Sequence, residues 1–393
     1  MHPVNVATVP ANVAPVTDLE AMLRQLEAEE EVLVPTEALA VFDRAAFDTA
    51  LRMASECGAS DIHFSGQGRI ALRVNGELEF LPYAAIASGI AEELIFGMIT
   101  DASDRETLRQ TRELDFSFTH TNHVHYRCNA YYKNDNLSIA MRRINTLIPT
   151  LDQLGAPEKL HELIRERQGM ILVCGPTGHG KTTTMAAMIE EINATRHDHI
   201  LTLEDPIEHV FESKQCMVSQ RELNTDTLSF EKSLRAAMRQ DPDIIVVGEV
   251  RDRETAQAVF NLVATGHLVI TTVHATNAAQ TLYRIARMFP PEERDMVLNQ
   301  MADALLGIVN QRLVRSTDGG RVAIFEMLVA NYAVQNSVRN GDVAQLVNTI
   351  AMSADEGMLT FEHSAGKLIL DGKVDHAAVA PYLDHRPAVE FFV

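Results

Sequence analysis

Beyond residue 155 compact apolar runs alternate with stretches of helical periodicity, whereas before residue 145 apolar and polar residues alternate singly. The runs Met170–Cys174, His199–Leu203, Ile244–Val247 and Leu268–Val273 contain few polar positions. They predict strands buried on both faces of a mostly parallel sheet, an α/β arrangement. The C-terminal third, from Pro291 to His385, predicts mainly helix, with one strand near Val322–Met327. In the first region Leu39, Phe42, Phe47, Leu51 and Ala54 repeat at helical spacing from Glu37 to Cys57, and Gly58 supplies the stop. Ile70–Val74 and Glu77–Leu81 flank Asn75-Gly76, a strong hairpin signal. Leu114, Phe116 and Phe118 alternate, as do Val124, Tyr126, Cys128 and Ala130, and Leu137–Ile144 predicts a further strand.

This grammar divides the chain. Residues 37–144 read as a small α+β domain, 145–154 with Pro149 as a hinge, and 155–385 as the α/β domain. Residues 1–36 read as an arm. Its first 17 residues lack useful periodicity, and Asp18–Glu31 forms an acidic helix pattern with Leu19, Met22, Leu23 and Leu26 on one stripe.

Composition narrows the function classes. Lys and Arg total 34 against 54 Asp and Glu, a formal net charge of −20. That sign disfavours a nucleic-acid binder, which needs a cationic face, and suits docking onto basic loops of a protein partner. No run approaches the ~18 apolar residues that span a bilayer. No Lys or Arg precedes Arg24, which argues against a secretory signal. Cys57, Cys128, Cys174 and Cys216 form no C-x-x-C pair, so they read as buried thiols of a reducing cytosol rather than a disulfide frame or zinc site.

Four segments carry chemistry. The run Gly175, Pro176, Thr177, Gly178, His179, Gly180, Lys181, Thr182 fits G-x-x-x-x-G-K-[ST], with Thr183 opening the helical stretch behind it. Such a loop curls backbone N–H groups around phosphate oxygens, and the helix N-terminus adds partial positive charge. Lys181 is placed to reach the β- and γ-phosphates and the Thr182 hydroxyl to ligate Mg²⁺. Glu249 follows the buried run Ile244–Val247, at the sheet edge where α/β folds bind ligands, and suits water activation or the Mg²⁺ shell through water. Asp243 precedes that run and reads as structural. Glu204, Asp205 and Glu208 follow another buried run, and Glu204 suits water placement or the same metal shell. His274 ends the run Leu268–Val273 at the same edge and is placed to sense the terminal phosphate. His267, at the other end, reads as structural or as a subunit contact.

In their order these segments resemble one family, the secretion ATPases of type II secretion, type IV pili and type IV secretion. Glu204-Asp-Pro-Ile-Glu208, Gln240–Glu249 and Thr265–Val269 are most similar to the boxes of its pilus-retraction (twitching motility) branch. Gly58-Ala-Ser-Asp-Ile-His-Phe64 resembles the family's entry to its first domain. The resemblance implies a RecA-like ATPase domain preceded by a PAS-like domain, working as a hexamer. It implies ATP and Mg²⁺ as cofactors, and phosphate-facing arginines at Arg127 and Arg142, with Arg143 turned the opposite way. It also implies a cytoplasmic motor recruited to the inner membrane face by a platform protein of a pilus or secretion system.

Three departures qualify it. Residues 333–340 read Ala-Val-Gln-Asn-Ser-Val-Arg-Asn where the retraction branch has a more apolar and charged helix motif. His179 stands where the family often has Ser. The chain lacks the C-x-x-C zinc arrangement of the longer assembly and type II secretion motors. The expectation is an ATP-hydrolysing motor of pilus retraction. The alternatives are a type IV secretion or conjugation ATPase, a regulatory ATP-binding module with little turnover, and a helicase-type motor, which the acidic composition disfavours.

Overall fold

The computed structural model describes residues 41–74, 77–120, 124–144, 148–223 and 225–383. The N-terminal arm, its acidic helix pattern, the Asn75-Gly76 turn and the start of the expected hinge lie outside them. The chain divides into two units between Asn145 and Thr146.

The first unit begins with helix α1 (Arg44–Glu56), whose Asp43 cap accepts a hydrogen bond from the Ala46 N–H. Gly58, at φ +69°, ends it as the sequence predicts. Strands β1 (Asp61–Ser65), β2 (Ala71–Val74), β3 (Glu77–Phe80), β4 (Glu113–Thr119), β5 (His125–Lys133) and β6 (Asn136–Arg143) form one sheet in the order β3-β2-β1-β6-β5-β4. All its pairings are antiparallel. Helices α2 (Ser88–Met98) and α3 (Ala102–Thr111), which the sequence reading did not place, join the hairpins. Strand alternation sorts the side chains. Tyr126, Cys128, Ala130, Ile139 and Met141 enter a core with Phe47, Leu51 and Ile62, whereas Arg127 and Arg142 stay exposed on the opposite face.

The second unit is an α/β layer structure. Its sheet has the order β13-β12-β7-β11-β10-β8-β9, from β7 (Gly169–Cys174), β8 (His199–Glu204), β9 (Met217–Glu222), β10 (Ile244–Val247), β11 (Leu268–Val273), β12 (Leu305–Arg315) and β13 (Arg321–Val329). Only the β12–β13 pair is antiparallel. Every residue of β7, β10 and β11 is buried, which explains runs without polar alternation. Helix α4 (Lys181–Thr195) covers one face through Met185, Met188, Ile189 and Ile192. Helices α5 (Phe230–Ala237), α6 (Arg253–Ala264), α7 (Ala278–Arg287) and α8 (Arg294–Ala304) cover the other.

Two strands correct the expectation of a mainly helical C-terminal third and of four parallel runs. Strand β12 follows α8 without a break, so its apolar residues read as a continuation of that helix. Tertiary pairing decides instead, because β12 lies between β7 and β13 and bonds to both. Gly307 permits that fit: a Cβ there would lie 2.9 Å from the Leu328 carbonyl oxygen. Strand β9 escapes a hydrophobicity reading because it is a half-buried edge strand of Met-Val-Ser-Gln-Arg-Glu. The second half of the expected hinge is likewise a packed element. Thr150 and Gln153 form a capping box, and Leu151 of the turn Leu151–Leu154 is fully buried. Among the described residues no helix is long and apolar enough to cross a membrane.

Candidate nucleotide site

The site sits where the parallel strands end. The loop from Gly175 to Gly180 joins β7 to α4, and Gly175, Gly178 and Gly180 all take positive φ there. Gly175 has φ +147°, and a Cβ there would lie 2.5 Å from the Gln311 carbonyl oxygen. Gly180, at φ +81°, is the cap residue of α4. The loop is thus pressed against β12 and leaves its N–H groups for an anion at the helix N-terminus.

The side chains expected at this edge converge. Lys181 is buried, and its Nζ donates to the Gly175 and Pro176 carbonyl oxygens at 3.0 and 3.1 Å and to His274 Nδ1 at 3.2 Å. With Nδ1 accepting, His274 presents Nε2–H to Glu249 Oε1 at 3.1 Å. The other oxygen of Glu249 accepts from Arg251 Nε at 2.7 Å, and Arg251 Nη1 lies 3.5 Å from Asp205 Oδ2. A relay therefore runs from Lys181 through His274 and Glu249 to Arg251 and Asp205. Thr272 donates to the Gly248 carbonyl at 2.7 Å, which ties the Glu249 loop to β11.

Glu204 ends β8 and is 6% exposed. Its Oε1 accepts from the Thr202 hydroxyl at 2.7 Å and from Gln220 Nε2 at 3.1 Å. Burial nevertheless pushes its carboxyl above the ordinary range, a shift those two hydrogen bonds oppose. Burial pulls the Lys181 ammonium below its usual value while the Glu249 carboxylate pulls it back. Thr177, Gly178, Gly180, Lys181, Thr182, Thr183, Glu204, Glu249 and His274 all line one cleft of about 760 Å³.

Other expected residues fall elsewhere. His179 belongs to the loop, but its ring is taken up by β12: Nδ1 accepts from the Leu313 N–H at 2.9 Å. Asp243, at the far end of β10, accepts from the His199 N–H at 2.9 Å, and His267 Nδ1 lies 2.8 Å from the Leu262 carbonyl oxygen at the end of α6. Neither lines the cleft. Arg127 and Arg142 belong to the first unit, where register makes them direct partners across β5 and β6. Arg142 Nε lies 2.8 Å from Asp61 Oδ1. Arg143 turns the other way and donates to the Ser55 carbonyl at 3.0 Å.

Sequence reasoning missed Arg251, Gln220, Gln311 and Arg321. Arg251 and Arg321 line the cleft, Gln220 braces Glu204, and Gln311 Nε2 donates to the His179 carbonyl at 2.6 Å. The polar residues Asn310, Gln311 and Arg312 inside the apolar run 305–314 are the one signal in the sequence that could have singled out Gln311.

With this geometry in place, the comparisons with known proteins are specific. Residues 38–377 match the family described as type II/IV secretion system protein. The type IV pilus retraction ATPase PilT of Pseudomonas aeruginosa is 38% identical over 324 residues, 82% of this chain and 94% of its own length. A twitching motility protein of Neisseria gonorrhoeae is 38% identical over 321 residues, covering 81% and 86%. The crystal structure of the pilus retraction motor PilT with bound ADP superposes with a TM-score of 0.81 at 36% identity, covering 87% of this chain and 98% of that one.

Proposed function

This chain belongs to the type II/IV secretion system protein family, and we propose that within it the chain is an ATP-hydrolysing motor of type IV pilus retraction. The relay from Lys181 through His274 to Glu249, set against the glycine loop, is the observation that carries this reading. A molecule that only bound nucleotide has no need of a carboxylate held by a histidine and an arginine beside the phosphate loop.

The residues suit ATP with Mg²⁺. Glycine N–H groups and Lys181 meet the phosphates, the Thr182 hydroxyl would hold the metal, and Glu204 and Glu249 would reach it through water. The metal, when bound, supplies charge neutralisation on the phosphate oxygens. Lys181 is now bound to loop carbonyls and His274, so it exchanges those partners for phosphate oxygens when nucleotide enters. His274 then loses its Lys181 contact and keeps Glu249, which is how it registers a terminal phosphate. Glu249 orients the attacking water and takes its proton. The buried Glu204 assists in placing that water. Arg127 and Arg142 offset charge on the phosphoryl group in transfer, and nucleotide-dependent movement of the first unit brings work out of the cycle.

In this reading the motor is a homo-hexamer, cytoplasmic and recruited to the inner membrane face by a pilus platform protein. A role in type IV secretion is the second reading, favoured by one observation. Helix α9 (Tyr332–Arg339), the place of the retraction-branch motif, buries Val334 and Val338 but exposes Tyr332, Ala333 and Asn336, an uncharged surface. Expression in piliated cells that lack their retraction motor separates the two. Restored retraction, abolished again by Glu249→Gln, supports the proposal; hydrolysis without retraction contradicts it.

A further inference from the structure

The ring of His179 and a turn near the end of the described chain meet in a way that nucleotide chemistry does not require. The turn Ala380–Tyr382 places the Tyr382 ring edge-on to the His179 ring, with centroids 6.4 Å apart and planes at 82°. The Arg312 guanidinium lies 5.2 Å from the same Tyr382 ring and 5.4 Å from Phe361 of helix α11 (Phe361–Leu370), whose range follows α10 (Leu346–Met352). Its Nη2 donates to the Thr276 carbonyl at 2.9 Å, whereas its Nε is buried and has no hydrogen-bond partner among the described residues. Two aromatic faces therefore do much of the holding of this cation. Thr276 lies two residues beyond His274. Tyr382 thus touches, directly or through Arg312, both the phosphate loop and the segment that carries His274.

We propose that Tyr382 is a positioning residue for nucleotide binding, a clamp that fixes the phosphate loop through His179 and the His274 segment through Arg312. The histidine in place of a small hydroxyl residue then has a purpose: its ring meets the Leu313 N–H on one side and the Tyr382 ring on the other. Removing the clamp frees the loop to sample conformations in which its N–H groups no longer converge. Nucleotide binding weakens in proportion, while the reacting carboxylates are untouched. The proposal rests on the phosphate loop being the nucleotide site, and Lys181→Ala tests that premise separately.

The experiment compares the full-length protein with Tyr382→Ala, Tyr382→Phe, His179→Ala and the double alanine variant, reading KM for ATP, kcat and thermal midpoint without nucleotide. Tyr382→Ala is expected to raise KM roughly fivefold with kcat within about twofold, from the loss of one ring–ring and one cation–ring contact. Tyr382→Phe keeps the ring and restores the wild-type KM. The double variant raises KM by less than the product of the two single effects, because the His179–Tyr382 contact is already lost in each single one. An unchanged KM in Tyr382→Ala overturns the proposal, as does strict additivity in the double variant. A lowered thermal midpoint with KM unchanged overturns it too, by showing the contact to be structural only.

Discussion

The two units solve the problem of gathering distant residues differently. In the second, strands buried on both faces run parallel, so Lys181, Glu204, Glu249 and His274 all emerge at one edge because each follows a strand of the same direction. In the first, hairpins alternate direction and one face holds polar side chains, so it is strand register that aligns them. Ser117 pairs with Arg127, Arg127 with Arg142, Arg142 with Asp61 and Asp61 with Arg73. Three arginines thus stand in one row across the sheet. Topology builds a cleft in one unit; register builds a charged stripe in the other.

The comparison is sharpest at the arginines. If the stripe supplies charge to the transferring phosphoryl group, Arg127→Ala and Arg142→Ala each lower kcat on the order of 10³-fold. Their thermal midpoints stay within a degree or two, since both side chains are exposed surface residues. Steady-state phosphate release and a melt decide it, and a normal kcat in both variants leaves catalysis to the second unit alone. Glu249→Gln is expected to cost roughly 10²-fold in kcat with ATP affinity nearly unchanged, because a general base acts after binding. Retained turnover there removes the water-activating role.

Glu204 adds a pH test with opposite signs for activity and stability. Its folded carboxyl is raised by burial, so its contribution to stability is present at low pH and lost as pH rises through the raised value. Glu204→Gln, which cannot ionise, is therefore expected to keep or raise the thermal midpoint at neutral pH while lowering turnover. A destabilised but active Glu204→Gln variant contradicts both statements.

Stability should distinguish the sheets as well. Leu172→Ala, in a strand buried on both faces, is expected to cost about 3 kcal/mol in urea unfolding through the cavity it leaves. Asp61→Asn, which breaks the pair with the 71% exposed Arg142, should cost under about 1 kcal/mol at neutral pH. Burial would raise the Asp61 carboxyl, but hydrogen bonds from Ser60 and Arg142 bring it below its usual value. That contribution is present above the ordinary carboxylate range and lost as pH falls through the lowered value. A larger effect for Asp61→Asn than for Leu172→Ala would mean the stripe is structural.

Much of this was legible in the sequence because the chemistry is local to strand ends. An apolar run followed by Glu249, by Glu204 or by His274 states both the strand and the edge at which the side chain emerges. The glycine loop states its own conformation, since Gly175 and Gly180 occupy positive φ. What escaped depends on neighbours remote in sequence. Strand β12 reads as helix until β7 and β13 pair with it, and with that strand went Gln311 and Arg312, whose contacts to His179 and Thr276 span the unit. Arg251 reads as an ordinary surface cation until Glu249 and Asp205 are seen on either side of it. His179 reads as a tolerated substitution until the Leu313 N–H and the Tyr382 ring explain it.

The claim beneath all of this is that ATP is bound and cleaved where β7, β8, β10 and β11 end. Phosphate release by the full-length protein and by Lys181→Ala, at saturating ATP and Mg²⁺, addresses it without intermediates. The account predicts at least a roughly 10²-fold loss on removing that ammonium group. Equal rates from the two proteins would contradict it.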